Sequence, residues 1–101
     1  MRNRYKNELT LKDAIEAMLN APRFKKLGDK LTEFRIIEGW KKNMGPYIMQ
    51  YTSELNLKDH VLYVRLTSSV LRKELSMSSA QIIEILNKEV NKDYLKKIVF
   101  L

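Results

Sequence analysis

The hydrophobic period changes twice along this chain, and that switch restricts the fold more than any other feature. From Leu11 to Met49 apolar residues recur at helical spacing, from Leu55 to Leu66 they alternate with polar ones, and after Ser68 the helical spacing returns. A helical stripe and a pleated face need different backbones. An all-helical bundle and an all-β sandwich are therefore both excluded. At 101 residues the chain has room for one small domain.

Residues 1–7 are polar and basic and read as a flexible arm, with a single domain over 8–101. Thr10, with Asp13 three residues on, is a weak capping signal for a first helix, whose stripe is Leu11, Ala14, Ile15, Met18 and Leu19. Asn20-Ala21-Pro22 ends it, since the residue before proline disfavours helical geometry. Residues 23–28 read as a short basic connection. Asp29 caps a second helix with the stripe Leu31, Phe34, Ile37, Trp40 and Met44 and with Ile36 beside it. Gly45-Pro46 breaks that helix, and residues 47–51 add a short helical piece with Pro46 at its start.

The alternating stretch is a hairpin. Leu55 and Leu57 face one side, Lys58-Asp59-His60 is the turn, and Leu62, Val64 and Leu66 face the core while Val61, Tyr63 and Arg65 face away. Thr67-Ser68-Ser69 offers caps for a helix carrying Val70, Leu71 and Leu75. Ser78 with Gln81 forms a capping box for another, with Ile82, Ile83, Ile85, Leu86 and Val90. Ile98-Val99-Phe100 closes the chain as a third strand. The expected fold is α+β, a three-stranded sheet with helices on one face plus an N-terminal helix. The element order after residue 28 is similar to the type II KH domain.

Catalysis needs a constellation that this sequence lacks. There is no cysteine and one histidine, His60, which falls in the hairpin turn without a second metal-ligating partner. Acidic residues are scattered among Lys and Arg, and no Gly-rich loop opens a helix as a phosphate cradle. The expectation is a non-enzymatic protein with no cofactor, no metal and no small-molecule substrate. No apolar run approaches a membrane span, and Asn7 and Glu8 stand where a signal peptide would be apolar. A cytoplasmic location without membrane association is expected.

The basic residues say more. Lys and Arg number 19 against 12 Asp and Glu, a net charge of +7, which favours polyanionic partners. Arg23, Lys25, Lys26, Lys30, Arg35, Lys41 and Lys42 crowd residues 23–42, and Arg2, Arg4 and Lys6 lie in the arm. Such cations neutralise phosphates without reading bases. Trp40, on the apolar stripe, reads as a core anchor. Tyr63 and Arg65, on the outer face of the hairpin, are better placed to stack on a base. Met44, Met49 and Met77 flank helix breaks, where adaptable side chains fill gaps.

Several stretches in order carry a family pattern: Trp40-Lys-Lys-Asn-Met-Gly45-Pro46 followed by Thr52, Val61-Leu62-Tyr63-Val64, Ser68-Ser69 with Glu74-Leu75, Ile85-Leu86-Asn87 and Lys97-Ile98-Val99-Phe100. Over residues 8–101 the chain resembles the bacterial DciA family, associated with the replicative helicase DnaB. The resemblance implies a KH-like domain, association with DNA, and a role in recruiting or loading the helicase. Departures are Tyr51 where many members have His, His60 where many have Gly, and Leu71 where an aromatic is frequent. Ser76-Met77-Ser78-Ser79 stands where nucleic-acid-binding KH domains carry Gly-x-x-Gly, so contact with DNA is expected through charged faces instead. The expected nucleic-acid contacts are Arg2, Arg4, Lys6, Arg23, Lys25, Lys26, Lys30, Lys41 and Lys42, with Arg72 and Lys73 beside the serine-rich junction. The expected partners are single- or double-stranded DNA and the helicase. A protein-binding adaptor and an RNA-binding KH-like module are the rival readings.

Overall fold

The computed structural model describes residues 3–101, with side chains for 10–18 and 20–101. Within them are α1 (Asn3–Asn20), α2 (Pro22–Met49), β1 (Thr52–Lys58), β2 (Val61–Leu66), α3 (Ser69–Met77), α4 (Ser79–Glu89) and β3 (Lys97–Phe100). The chain divides into two compact units between Leu31 and Thr32.

The first unit is helical. α1 begins at Asn3, upstream of Thr10, so Thr10 and Asp13 lie inside the helix instead of capping it. Residues 3–9 contain no Gly or Pro and mostly strong helix formers, which lets the helix extend through part of the expected arm. Leu11, Ala14, Ile15 and Met18 are all exposed. Ala21 N–H donates to Met18 O at 3.0 Å, and Lys25 N–H donates to Ala21 O at 2.6 Å. The stretch 23–28 is therefore the start of α2 and not a connection. Pro22 sits at the first helical position, where its fixed φ suits the helix and its missing N–H costs nothing.

In the second unit, Thr32–Leu101, α2 buries Thr32, Ile36, Gly39 and Trp40. Ile37 and Met44 are half-buried against the core, whereas Leu31 and Phe34, expected on the buried stripe, are exposed. The geometry explains the difference: Leu31 and Phe34 stand roughly 140° and 200° around the helix from Ile36. Gly45 adopts φ 81°, ψ 171°, and with Pro46 interrupts the helix as expected. Gly39 permits a close approach of α4, since a Cβ there would lie 3.1 Å from Glu89 Cγ and 3.3 Å from Leu86 Cδ2.

β1 and β2 pair antiparallel with Leu57 opposite Leu62 and Lys58 opposite Val61. The two loop residues, Asp59 (φ 52°) and His60 (φ 66°), both have positive φ, the requirement of a type I′ hairpin turn. β3 runs parallel to β2 in the order β1-β2-β3, with α3 and α4 forming the crossover. Ser68 caps α3 by accepting from Leu71 N–H at 3.2 Å. The expected Ser78–Gln81 capping box is absent. Ser78 closes α3 through its N–H to Leu75 O at 3.0 Å and makes no side-chain cap bond, while Ser79 Oγ donates to Ser76 O at 2.7 Å. Trp40, Ile36, Leu62, Leu86, Leu95 and Val64 form the most deeply buried part of the core, giving the α+β fold expected from the period switch.

Asn87 locks the chain between α4 and β3. Its Oδ1 accepts from Leu95 N–H at 2.7 Å and Tyr94 N–H at 3.2 Å, and its Nδ2 donates to Leu95 O at 3.1 Å. Asn91 takes the left-handed conformation (φ 53°) that ends α4, with Asn91 N–H to Lys88 O and Lys92 N–H to Asn87 O completing the closure.

Candidate nucleic-acid interface

Cations outnumber carboxylates along the chain, but unevenly. Residues 1–31 carry eight Lys and Arg against four Asp and Glu, while residues 32–101 carry eleven against eight. The smaller unit thus holds the greater density of excess charge. Arg2 lies outside the described residues, and so do the side chains of Arg4 and Lys6, whose backbone belongs to α1.

At the start of α2, Arg23, Lys25, Lys26 and Lys30 are all exposed. Arg23, Lys26 and Lys30 follow i, i+3, i+7 spacing and so share one side of the helix, while Lys25 projects elsewhere. The Arg23 guanidinium lies 5.1 Å from the centroid of the Phe24 ring. Lys25 and Lys26 form no ion pair among the described residues. A helix N-terminus carries partial positive charge of its own, which adds to that of the side chains for any anion nearby.

In the larger unit the expected cations are mostly engaged. Lys41 Nζ lies 3.2 Å from Glu38 Oε2, and Lys42 Nζ lies 3.5 Å from Glu89 Oε1. Glu89 also accepts from Asn43 Nδ2 at 3.1 Å; this hydrogen bond first, and then the nearby Lys42 ammonium, holds its carboxyl below the usual carboxylate range. The Lys41–Glu38 pair is exposed on both sides, whereas in the second pair Lys42 is exposed and Glu89 half-buried. Their consequence is a local field of alternating sign. Arg72 is half-buried and donates from Nη1 to Leu66 O at 3.0 Å and Leu101 O at 3.3 Å, tying α3 to the end of the sheet. Lys73 is exposed. Ser78 alone separates α3 from α4, leaving a one-residue junction without glycine.

Trp40 is fully buried, tilted against Phe100 with ring centroids 6.1 Å apart, and is a core anchor. Its indole N–H is buried without a partner. His60 is exposed; its Nδ1 lies 3.0 Å from Tyr94 O, and its ring packs 4.4 Å from that of Tyr94, which makes it a turn residue docked on the loop before β3. Tyr63 and Arg65 do point away from the core, as the alternation indicates. What the alternation did not reveal is which residues join them. Asn56 stands opposite Tyr63 on β1, and Val99 stands opposite it on β3. Strand register supplies those neighbours, and a parallel pairing with β3 leaves no local signal in the sequence.

The described residues contain no group of three or more His, Cys, Asp or Glu suited to a metal, and no helix long and apolar enough to cross a membrane. Fold and surface together define a small α+β domain with a cation-rich helical segment before it. The DciA family, described as "Dna[CI] antecedent, DciA", matches residues 10–100, and the chain belongs to that family. The family is one of helicase loaders and accessory proteins, and it links the chain to loading of the replicative helicase DnaB in DNA replication. No curated protein and no solved structure matches the chain.

Proposed function

We propose that this protein is a non-enzymatic, cytoplasmic replication accessory that binds DNA weakly and assists recruitment or loading of the DnaB-type helicase through a KH-like domain. The observation that carries the DNA-binding half is the cluster at the start of α2, where Arg23, Lys25, Lys26 and Lys30 are exposed and Lys25 and Lys26 have no carboxylate partner among the described residues. The arm residues Arg2, Arg4 and Lys6 extend the same reading, and Lys73 is a further contact. Lys41, Lys42 and Arg72 are weaker contacts, because carboxylates or backbone carbonyls already hold them. The helicase half rests on family membership and on the element order of helix, hairpin, helix pair and strand.

A complex that neutralises about four phosphates loses roughly 50- to 150-fold in affinity between 50 and 200 mM salt. Fluorescence anisotropy of labelled single- and double-stranded oligonucleotides across that range is the test. A steep linear dependence of log affinity on log salt supports the proposal. Absence of binding even at low salt removes its DNA half. Co-sedimentation with the purified helicase, with and without nuclease, tests the other half independently.

A further inference from the structure

We infer that the outer face of the sheet is a second, separate nucleic-acid site: a platform on which Tyr63 stacks against an unpaired base of a single strand. It does not depend on the cations of α2. Inward-facing Leu62, Val64 and Leu66 alternate with outward-facing Val61, Tyr63 and Arg65, so β2, the central strand, presents a tyrosine near the middle of the face opposite the core. The cross-strand pairs fix its surroundings. Asn56 lies on one side and Val99 on the other, with Glu54 opposite Arg65, and Lys58 and Lys97 flank Val61 from β1 and β3.

Three features fit an unpaired base better than a duplex or a protein side chain. Tyr63 is half-buried, so its ring is held in place by its neighbours while part of it remains open. A depression of about 330 Å³ is lined by Tyr63, Asn56, Leu101, Lys58, Arg65 and Glu54, room enough for a nucleobase against the ring, whose face only an unpaired base can cover by stacking. The cations Lys58, Lys97 and Arg65 are exposed around it, where a strand passing over the sheet would place its phosphates. Asn56 adds an amide able to donate to and accept from a base edge.

One carboxylate opposes this arrangement. Glu54 Oε2 accepts from Arg65 Nε at 3.1 Å. Both side chains are more than half exposed, and such a pair is weak enough for Arg65 to exchange its carboxylate for a phosphate. Stacking on an aromatic tolerates any base, so the site is expected to show little sequence preference.

The test is titration of the full chain with a short oligo(dT), an oligo(rU) of equal length and a duplex, read by backbone amide shifts and by anisotropy. Oligo(dT) or oligo(rU) is expected to move the amides of Asn56, Tyr63 and Val99, and the duplex to leave them in place. Tighter binding of dT assigns the platform to DNA and tighter binding of rU to RNA, and either supports it. Tyr63→Leu is expected to weaken single-strand binding roughly 5- to 100-fold and duplex binding less than about 2-fold. Tyr63→Phe keeps the ring and is expected to bind within about 3-fold of the unmodified chain. The platform is overturned if neither oligonucleotide moves the sheet amides, a readout that needs no variant to fold. It is also overturned if Tyr63→Leu, shown folded by its amide spectrum, binds single strands normally. Shifts confined to residues 23–30 would leave the α2 site standing and remove this one.

Discussion

Leu11, Ile15 and Met18 in α1 and Ile82 and Leu86 in α4, with Val90 at its C-cap, have nearly the same helical spacing but opposite fates. The first three are 61%, 48% and 51% exposed, and the second three are 4%, 0% and 9% exposed. Periodicity therefore identifies a face able to be buried, and burial requires an opposing surface. α4 finds one in the sheet and α2, where Gly39 lets the backbones come close. The same division runs through the charges. Excess cations are densest in the helical segment up to Leu31, while the larger unit pairs many of its cations with carboxylates. Stability is concentrated in one unit and unbalanced charge in the other.

The contrast breaks most directly at the core. Leu86→Ala is expected to cost about 2–5 kcal/mol in chemical denaturation, because a fully buried leucine leaves both lost transfer energy and a cavity. Ile15→Ala, at an equivalent place on an exposed stripe, is expected to change stability by no more than about 0.5 kcal/mol. Equal costs would show that α1 is packed in solution. Next in size is Asn87→Ala, expected to cost about 2–3 kcal/mol, since the backbone N–H groups of Tyr94 and Leu95 lose the acceptor that fixes the loop before β3. Thermal melting with amide exchange at Tyr94 and Leu95 checks it.

A smaller effect of opposite sign is expected at the hairpin. Asp59→Gly relieves a non-glycine residue at φ 52° and is expected to stabilise the larger unit by up to about 1 kcal/mol, less any entropy gained by the unfolded chain. The smallest effect is in pH. Glu89 has a folded-state pKa below its ordinary 4.5, so its contribution is present above that value and lost as pH falls through the lowered one. Acid titration of stability is expected to lose a component in Asn43→Ala that the unmodified protein retains, because Asn43 is the leading cause of the shift.

Much of the larger unit was legible from local signals. Gly45-Pro46 announced the break in α2, alternation across residues 55–66 announced the hairpin, and Ile98 to Phe100 announced the last strand. Legibility failed where a residue's role depends on something distant. Leu31 and Phe34 have the right chemistry for a core, but the turn of α2 set by Ile36 and Trp40 directs them elsewhere. Pro22 stops one helix and starts the next, and only its position at the first turn distinguishes the two roles. Ser78 has a capping partner at Gln81 but is already occupied in closing α3. Arg72 looked like a free cation until the sheet end supplied carbonyls for it. For the candidate interface, charge was visible residue by residue, whereas neutralisation of Lys42 by Glu89 spans two helices.

The division of labour between the two units is tested most directly by salt-dependent DNA binding of two charge-deleted variants. Removing Arg23, Lys25, Lys26 and Lys30 together by substitution with Ala is expected to flatten the slope of log affinity against log salt by about 3–4. Removing Lys41, Lys42 and Lys73 in the same way is expected to change it by less than about 1. A slope that collapses in the second variant and survives in the first would contradict the account.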